Sequence, residues 1–408
     1  MSLLARRQAV LVFLAFAFAY FFSALVRAIT ATLSPTLTRE FQLDAGDLGL
    51  LAGGYFLGFA ATQLPLGTWL DRHGPKKVIL WFLAVAVLGC AAFAVATSFS
   101  WLLAARVLCG IGVSACLMAP LTGYRRWYSA PVQLRTNSWM LMTGSFGMLT
   151  STLPVQWLVP VVGWRPLFWG LAALMALSML LIAWQVPRWE DEPEDDQPQV
   201  QGSYREVWRH PYFLQLTPVG FFSYGGMIAI QTLWAGPWMV RVAGYEPLAS
   251  AGGLFTINIC MLATFWTWGL LNPALQRRGI STDTLIAWGL PLSFVVMGGI
   301  VLAGPAAGAW TLALFCMSST FVSLAQPAVG MVFPASLAGR VLSAYNLVIF
   351  LGVFVVQWGI GLVIDAFRAG GLGEVDAFRA AFSVFLATSV LSYAWFLWSR
   401  SHNRPQSP

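Results

Sequence analysis

The sequence predicts an all-α integral membrane protein whose twelve transmembrane helices form two pseudo-symmetric six-helix bundles. Three observations carry that prediction: a scarcity of charge, a succession of twelve apolar segments, and an internal repeat with offsets of 199 to 207 residues. Of the 408 residues, 58% are hydrophobic and only 10% charged, where a soluble globular domain carries about a quarter charged. That is too little charge to cover a water-facing surface, and most soluble enzyme classes are excluded with it. With 29 Phe, 20 Trp and 38 Gly, the composition is not that of a disordered chain either. The net charge of +7 is ascribed to lysines and arginines retained in cytoplasmic loops, not to nucleic-acid binding.

A helix needs about 20 apolar residues to cross a bilayer. Charged or Pro/Gly-rich breaks mark out spans at 9–34, 46–70, 77–97, 99–122, 135–158 and 164–187 in the first half. The second half supplies 212–240, 248–272, 283–303, 308–333, 341–365 and 377–399. Between the third and fourth spans only Thr97, Ser98 and Ser100 mark a turn. Arg6 and Arg7 precede a first apolar run too long for a signal-peptide core, so it stays as the first helix. With the N-terminus inside, sixteen of the 23 basic residues fall in inner segments. Five fall in outer loops: Arg39, Arg165, Arg241, Arg368 and Arg379. This bias predicts that both termini are cytoplasmic.

The one polar stretch long enough to be a linker is 188–211, with Glu190, Asp191, Glu192, Glu194, Asp195 and Asp196 around Pro193 and Pro198. It divides the chain into an N-terminal bundle, 1–187, and a C-terminal bundle, 212–408. The two halves repeat. Phe21-Phe22-Ser23 returns as Phe221-Phe222-Ser223, and Pro35 with Arg39 returns as Pro237 with Arg241. Gly53-Gly54 matches Gly252-Gly253, Gly67 matches Gly269, and Pro120 with Gly123 matches Pro327 with Gly330. Arg135 with Gly147 matches Arg340 with Gly352. Six spans return the chain to the same side of the membrane, so the halves run in parallel. Such duplication suits one site between the halves, opened alternately to either side.

Reactive groups are scarce. The only lysines are Lys76 and Lys77, and no G-x-x-x-x-G-K-[ST] loop exists. The three histidines, His73, His210 and His402, all lie near the cytoplasmic face. Five cysteines (Cys90, Cys109, Cys116, Cys260, Cys316) sit in apolar runs without CxxC spacing and read as small buried hydrophobes. No catalytic group, metal site or cofactor is expected, and the architecture favours a transporter over an enzyme.

Between the second and third spans the chain reads Gly67-Thr-Trp-Leu-Asp71-Arg72-His73-Gly74-Pro75-Lys76-Lys77. This resembles the G-x-L-A-D-R-x-G-R-K-x signature loop of the major facilitator superfamily, with Trp69 and Pro75 as mild departures. Gly54-Tyr55-Phe56 and Gln63-Leu64-Pro65 look like the second helix of its bacterial members, and Arg106 with Gly110 and Gly112 is similar to its fourth-helix R-x-x-x-G pattern. The resemblance covers the whole chain. It implies a bacterial inner-membrane secondary transporter in which Gly67, Asp71, Arg72, Gly74, Lys76, Arg125 and Arg126 form a cytoplasmic latch. In physical terms Asp71 can pair with Arg72, Arg125 or Arg126, or cap a facing helix end.

Charge at membrane depth is costly and tends to mark function. Arg27 and Arg106 are the only basic residues that lie neither in loops nor at span ends, and no Asp or Glu lies mid-membrane; Asp365 comes nearest, at the outer end of the eleventh span. Two cations without an internal anion suggest a site whose substrate completes the pairing, a reading set against snorkelling, pairing with Asp365, or packing on carbonyls. The resemblance agrees, since first-helix arginines bind substrate anions in several superfamily members. Tyr20 lies seven residues before Arg27, on the same helix face. Tyr55, Gln231, Trp234, Asn258, Gln326 and Asn346 are further candidates to line the cavity, each weighed against a helix–helix hydrogen bond. The fifth span lacks the G-P-x-x-G-G pattern of the family's drug/proton antiporters, reading Gly144-Ser-Phe-Gly147 through to Pro154. The expectation is therefore a monomeric secondary transporter in the lipid bilayer that imports a small organic anion, coupled to protons or to a counter-anion. A drug or metabolite exporter working by proton antiport, and a transporter-like sensor without flux, are the alternatives.

Overall fold

The computed structural model describes residues 4–187, 204–334 and 337–402, and among these it contains helices and no strand. The helices are α1 (Arg6–Phe41), α2 (Ala45–Ala61), α3 (Gln63–Ala94), α4 (Phe99–Trp127), α5 (Ala130–Thr150 continuing as Leu153–Val162) and α6 (Trp164–Gln185). A six-residue helix, Tyr204–Arg209, precedes α7 (Pro211–Arg241). Then come α8 (Pro247–Arg277), α9 (Thr282–Ala303), α10 (Ala309–Val332), α11 (Ala338–Ala369) and α12 (Glu374–His402). Ten of them are long and apolar enough to cross a membrane. The two parts of α5, bent by 45°, make an eleventh. At 17 residues α2 rises about 26 Å, and the start of α3 supplies the remaining thickness. The protein is a multi-pass membrane protein.

The helix breaks have local causes. Expected at 46–70, the second span is interrupted at Thr62, whose hydroxyl donates to the Phe59 carbonyl at 2.9 Å and meets Ser114 Oγ at 2.8 Å. Back-bonding of this kind weakens and bends a helix. The helix is kinked later, at Gly74, whose φ of 73° is open to glycine and strained for other residues. Pro75 follows and restarts the helix, its fixed φ suiting a first turn. Between α3 and α4 the turn falls where the serines and threonine predict it, with Ser98 Oγ accepting from the Trp101 amide at 3.3 Å. The bend in α5 lies at Ser151 and Thr152, which both donate back into the helix, just ahead of Pro154. Helix α7 widens into π turns at Val219–Tyr224 and Ile230–Trp234, and α10 tightens into a 3₁₀ turn at Thr320–Leu324.

The chain divides into two compact units, Met1–Ile29 with Gly54–Gln201 and Thr30–Gly53 with Gly202–Pro408. The tip of the α1–α2 hairpin thus belongs with the second unit. Of the expected linker, residues 188–203 lie outside the described residues. In the first unit α3 packs on α4 and α6, and Gly147 of α5 lies so close to the Phe21 carbonyl of α1 that a Cβ would overlap it. In the second unit α11 packs on α7, and Gly352 lies equally close to the Phe221 carbonyl. These are the glycines and phenylalanines that the sequence repeat equates. The duplication therefore extends to a specific backbone approach inside each unit.

Candidate functional site

In the first unit the apolar seam between α1, α2 and α4 holds both arginines of the spans. Arg106 is 0% exposed, and its Nη1 donates to the Val26 carbonyl of α1 at 3.0 Å. Its Nε and Nη2 are buried with no hydrogen-bond partner among the described residues, and so is Arg27 Nε. Neither arginine forms an ion pair among the described residues. Arg27 Cζ stands 5.7 Å from the Phe59 ring centroid, and Arg106 Cζ stands 5.1 Å from that of Tyr55. Tyr55 and Phe59, four apart on α2, present their rings to one another at 6.3 Å. The hydroxyls of Tyr20 and Tyr55 both approach the Arg27 guanidinium, while Tyr55 also donates to the Ser23 carbonyl at 3.4 Å.

Local sequence explains why these groups meet. Tyr20 and Arg27 share a face of α1 because seven residues are close to two helical turns. Gly144 on α5 backs Tyr20, with no room for a Cβ beside that ring. Gly110 on α4 comes so close to the Tyr55 carbonyl that any side chain would overlap it, which brings Arg106 against the Tyr55 ring. Two guanidiniums in a low-dielectric seam, with three N–H-bearing nitrogens unpartnered, are costly to hold without an acceptor. Their planar forks match the oxygens of a carboxylate or phosphate. Four predicted residues, Tyr20, Arg27, Tyr55 and Arg106, are thus brought together. Phe59 belongs with them, and its position one turn beyond Tyr55 was the available signal.

The remaining amides pair with each other inside the second unit. Gln231 Nε2 of α7 donates to Asn258 Oδ1 of α8 at 3.0 Å, and Gln326 Nε2 of α10 donates to Asn346 Oδ1 of α11 at 2.5 Å. Trp234 is 0% exposed; its Nε1 donates to the Gln357 carbonyl at 3.0 Å and its ring meets Phe378 edge-on. The contacts these five make are those of helix–helix bonding. Gln357 itself was missed, although a scan for amides within spans finds it. It donates to Thr232 Oγ1 at 3.0 Å, and its Oε1 is buried without a partner among the described residues.

At the turn around Gly74, Asp71 and Arg72 are exposed, and Gly67 lies one helical turn before Asp71. Lys76 Nζ donates to the Val186 carbonyl just past the end of α6 at 2.7 Å. A cation there satisfies the carbonyl end of the helix, a contact within the first unit. Arg125 and Arg126 occupy the last turn of the α4 segment. Asp365 accepts from the amides of Ala45 at 3.1 Å and Gly46 at 2.5 Å, capping the start of α2. Among the described residues no cluster of His, Cys, Asp and Glu could hold a metal ion, and Cys90 Sγ and Cys109 Sγ lie 3.9 Å apart as free thiols.

The chain is similar to known proteins in sequence and in fold. The sequence model of the Major Facilitator Superfamily matches residues 16–357. The inner membrane transport protein YajR of Escherichia coli is 25% identical over 374 residues, 88% of this chain and 75% of that protein. The niacin transporter NiaP of Acinetobacter baylyi is 29% identical over 168 residues, 41% of this chain and 38% of that protein. Among solved structures, an inward-facing, unoccupied bacterial homologue of the human lysosomal transporter Spinster has a TM-score of 0.80 at 19% identity. That match covers 99% of this chain and 100% of the other.

Proposed function

The chain belongs to the Major Facilitator Superfamily and is a transporter, not an enzyme; on that premise we propose that it imports a small organic anion by alternating access. The observation that carries this reading is the pair of buried arginines, with Arg27 Nε, Arg106 Nε and Arg106 Nη2 unpartnered among the described residues. A carboxylate entering the seam supplies the missing acceptor and the missing charge together. Tyr20 adds a hydroxyl donor, and the Tyr55 and Phe59 rings add flat apolar surface suited to a planar acid. One relative is named for niacin, an anion at neutral pH, which supports the class but not the identity of the solute.

On this reading 1–187 and 212–408 are the two rocking halves, joined by the acidic linker. The turn bearing Gly67, Asp71, Arg72, Gly74 and Lys76, with Arg125 and Arg126, is the inner latch. Coupling is to protons or to exchange of a second anion. The excess of basic residues in alternate loops supports cytoplasmic termini in a bacterial inner membrane. Uptake of labelled carboxylates into proteoliposomes under an imposed proton gradient tests the proposal. Wild-type protein is expected to accumulate an anion, and R27Q to lose at least about tenfold in uptake, one charge-assisted hydrogen bond's worth. Proton-driven efflux of lipophilic cations without anion uptake would refute it, and so would the absence of any flux both under the proton gradient and into vesicles preloaded with unlabelled carboxylate.

A further inference from the structure

A second group of positive charge lies outside the Arg27 cluster. Arg39 ends α1 and Arg241 ends α7. They are the repeat partners Pro35-x-x-x-Arg39 and Pro237-x-x-x-Arg241, and in the second unit both line one cavity of about 210 Å³, together with Ser34, Thr38 and Leu48. A cation in the last turn of a helix is ordinarily explained by the helix dipole alone. That explanation accounts for each arginine separately and not for both facing one space, where like charges repel.

The charges around the cavity do not balance. Arg241 Nη1 is paired with Glu374 Oε1 at 3.0 Å. Arg39 is exposed and has no ion pair among the described residues. Ser34 is 3% exposed and spends its hydrogen on the Ala31 carbonyl at 2.8 Å. Thr38 Oγ1 is buried and makes no hydrogen bond among the described residues, which leaves its hydrogen without an acceptor there. The cavity therefore offers one uncompensated guanidinium, the remaining nitrogens of a second, and a spare hydroxyl donor, in a space that a small oxyanion fills.

From this juxtaposition we infer a second anion-binding site at the Arg39 and Arg241 ends of α1 and α7, for a small carboxylate or a phosphate group. Twelve residues, about 18 Å of helix rise, separate Arg39 from Arg27 along α1. The site is thus independent of the central cluster and needs no assumption about what that cluster carries. Free anions and the phosphate of a lipid headgroup share the required chemistry.

The test uses the full-length protein in detergent free of phospholipid, titrated at constant ionic strength with inorganic phosphate and with acetate by thermophoresis. Native mass spectrometry with added phosphatidylglycerol forms the parallel arm. Saturable binding of phosphate or acetate is expected, weakened about tenfold or more in R39Q, weakened also in T38V, and unchanged in R277Q, an exposed arginine at the end of α8. Retention of phosphatidylglycerol lost in R39Q, without binding of the soluble anions, identifies a lipid headgroup as the occupant of the same site. Because R241Q also breaks the Glu374 ion pair, R39Q carries the test. The inference is overturned if R39Q binds both probes as wild type does, if the wild type binds neither, or if R27Q alone abolishes binding.

Discussion

Replacing Asp365 by alanine tests how the hairpin tip is held. Helix α2 begins at Ala45 with orphan amides, as every helix does. Asp365 on α11 satisfies two of them, through Oδ1 to Ala45 N at 3.1 Å and Oδ2 to Gly46 N at 2.5 Å, and Asp44 Oδ1 satisfies the Asp47 amide at 2.7 Å. A side-chain cap is worth about 1 kcal/mol, and a carboxylate at a helix N-terminus adds roughly 0.3–1 kcal/mol. The neighbouring Asp44 carboxylate repels Asp365 and offsets part of this. The net expectation for D365A is a loss of about 1.5 kcal/mol in local opening, or roughly tenfold. D365N, which keeps one acceptor oxygen but no charge, should lose about half of that free energy. Hydrogen exchange by mass spectrometry reads this directly: peptides spanning 42–50 should exchange about tenfold faster in D365A, while peptides from α6 stay unchanged. Wild-type exchange in the 42–50 peptides of D365A would refute the claim that this carboxylate holds the hairpin.

The repeat-equated contacts make a paired prediction. G147A and G352A each place a methyl on a neighbouring carbonyl, of Phe21 and Phe221 respectively, and each should lower stability by about 1–3 kcal/mol. G252A, where nothing lies within 4 Å, should not; thermal unfolding of the three purified variants separates the cases. K76Q removes the charge from the bond to Val186 O and should cost about 0.5–1 kcal/mol by the same measurement, with R72Q, an exposed neighbour, as the control.

What the sequence made legible and what it did not divide along a physical line. Spans are read from composition summed over some twenty residues, a signal that neighbours cannot reverse. Tyr20 and Arg27 could be put on one face because helical period is local. The convergence of Tyr55, Phe59 and Arg106 on that face could not be read, because it depends on Gly110 admitting the Tyr55 backbone, a contact between helices more than fifty residues apart. The break at Thr62 was hidden for a similar reason: its second partner is Ser114. For Asp365 the sequence offered only a carboxylate at the end of a span. Its partners are two backbone amides, groups that every residue except proline carries and that leave no trace in a sequence. The π turns of α7 are likewise silent, since their residues are ordinary ones and the widening is a property of packing.

Helix α2 shows where such hidden contacts matter most. Gly46, Gly49 and Gly53 lie on one face at spacings of three and four, and each meets α11: the Asp365 carboxylate, the Gln357 carbonyl and Phe354. Gly54 and Gly58 lie on another face and meet Leu103 and the Val107 carbonyl of α4. The boundary between the compact units falls between these sets, at Gly53 and Gly54. If alternating access requires α2 to leave one neighbour, the energetic costs differ. Parting α2 from α11 exposes at its end a half-buried carboxylate and two amides, all groups that water satisfies. Parting α2 from α4 would uncover Tyr55 and Arg106, both 0% exposed, and leave a guanidinium stripped of the ring it stacks on. The cheaper motion keeps α2 on α4, so Tyr55 and Arg106 travel as one body while the α11 contact opens.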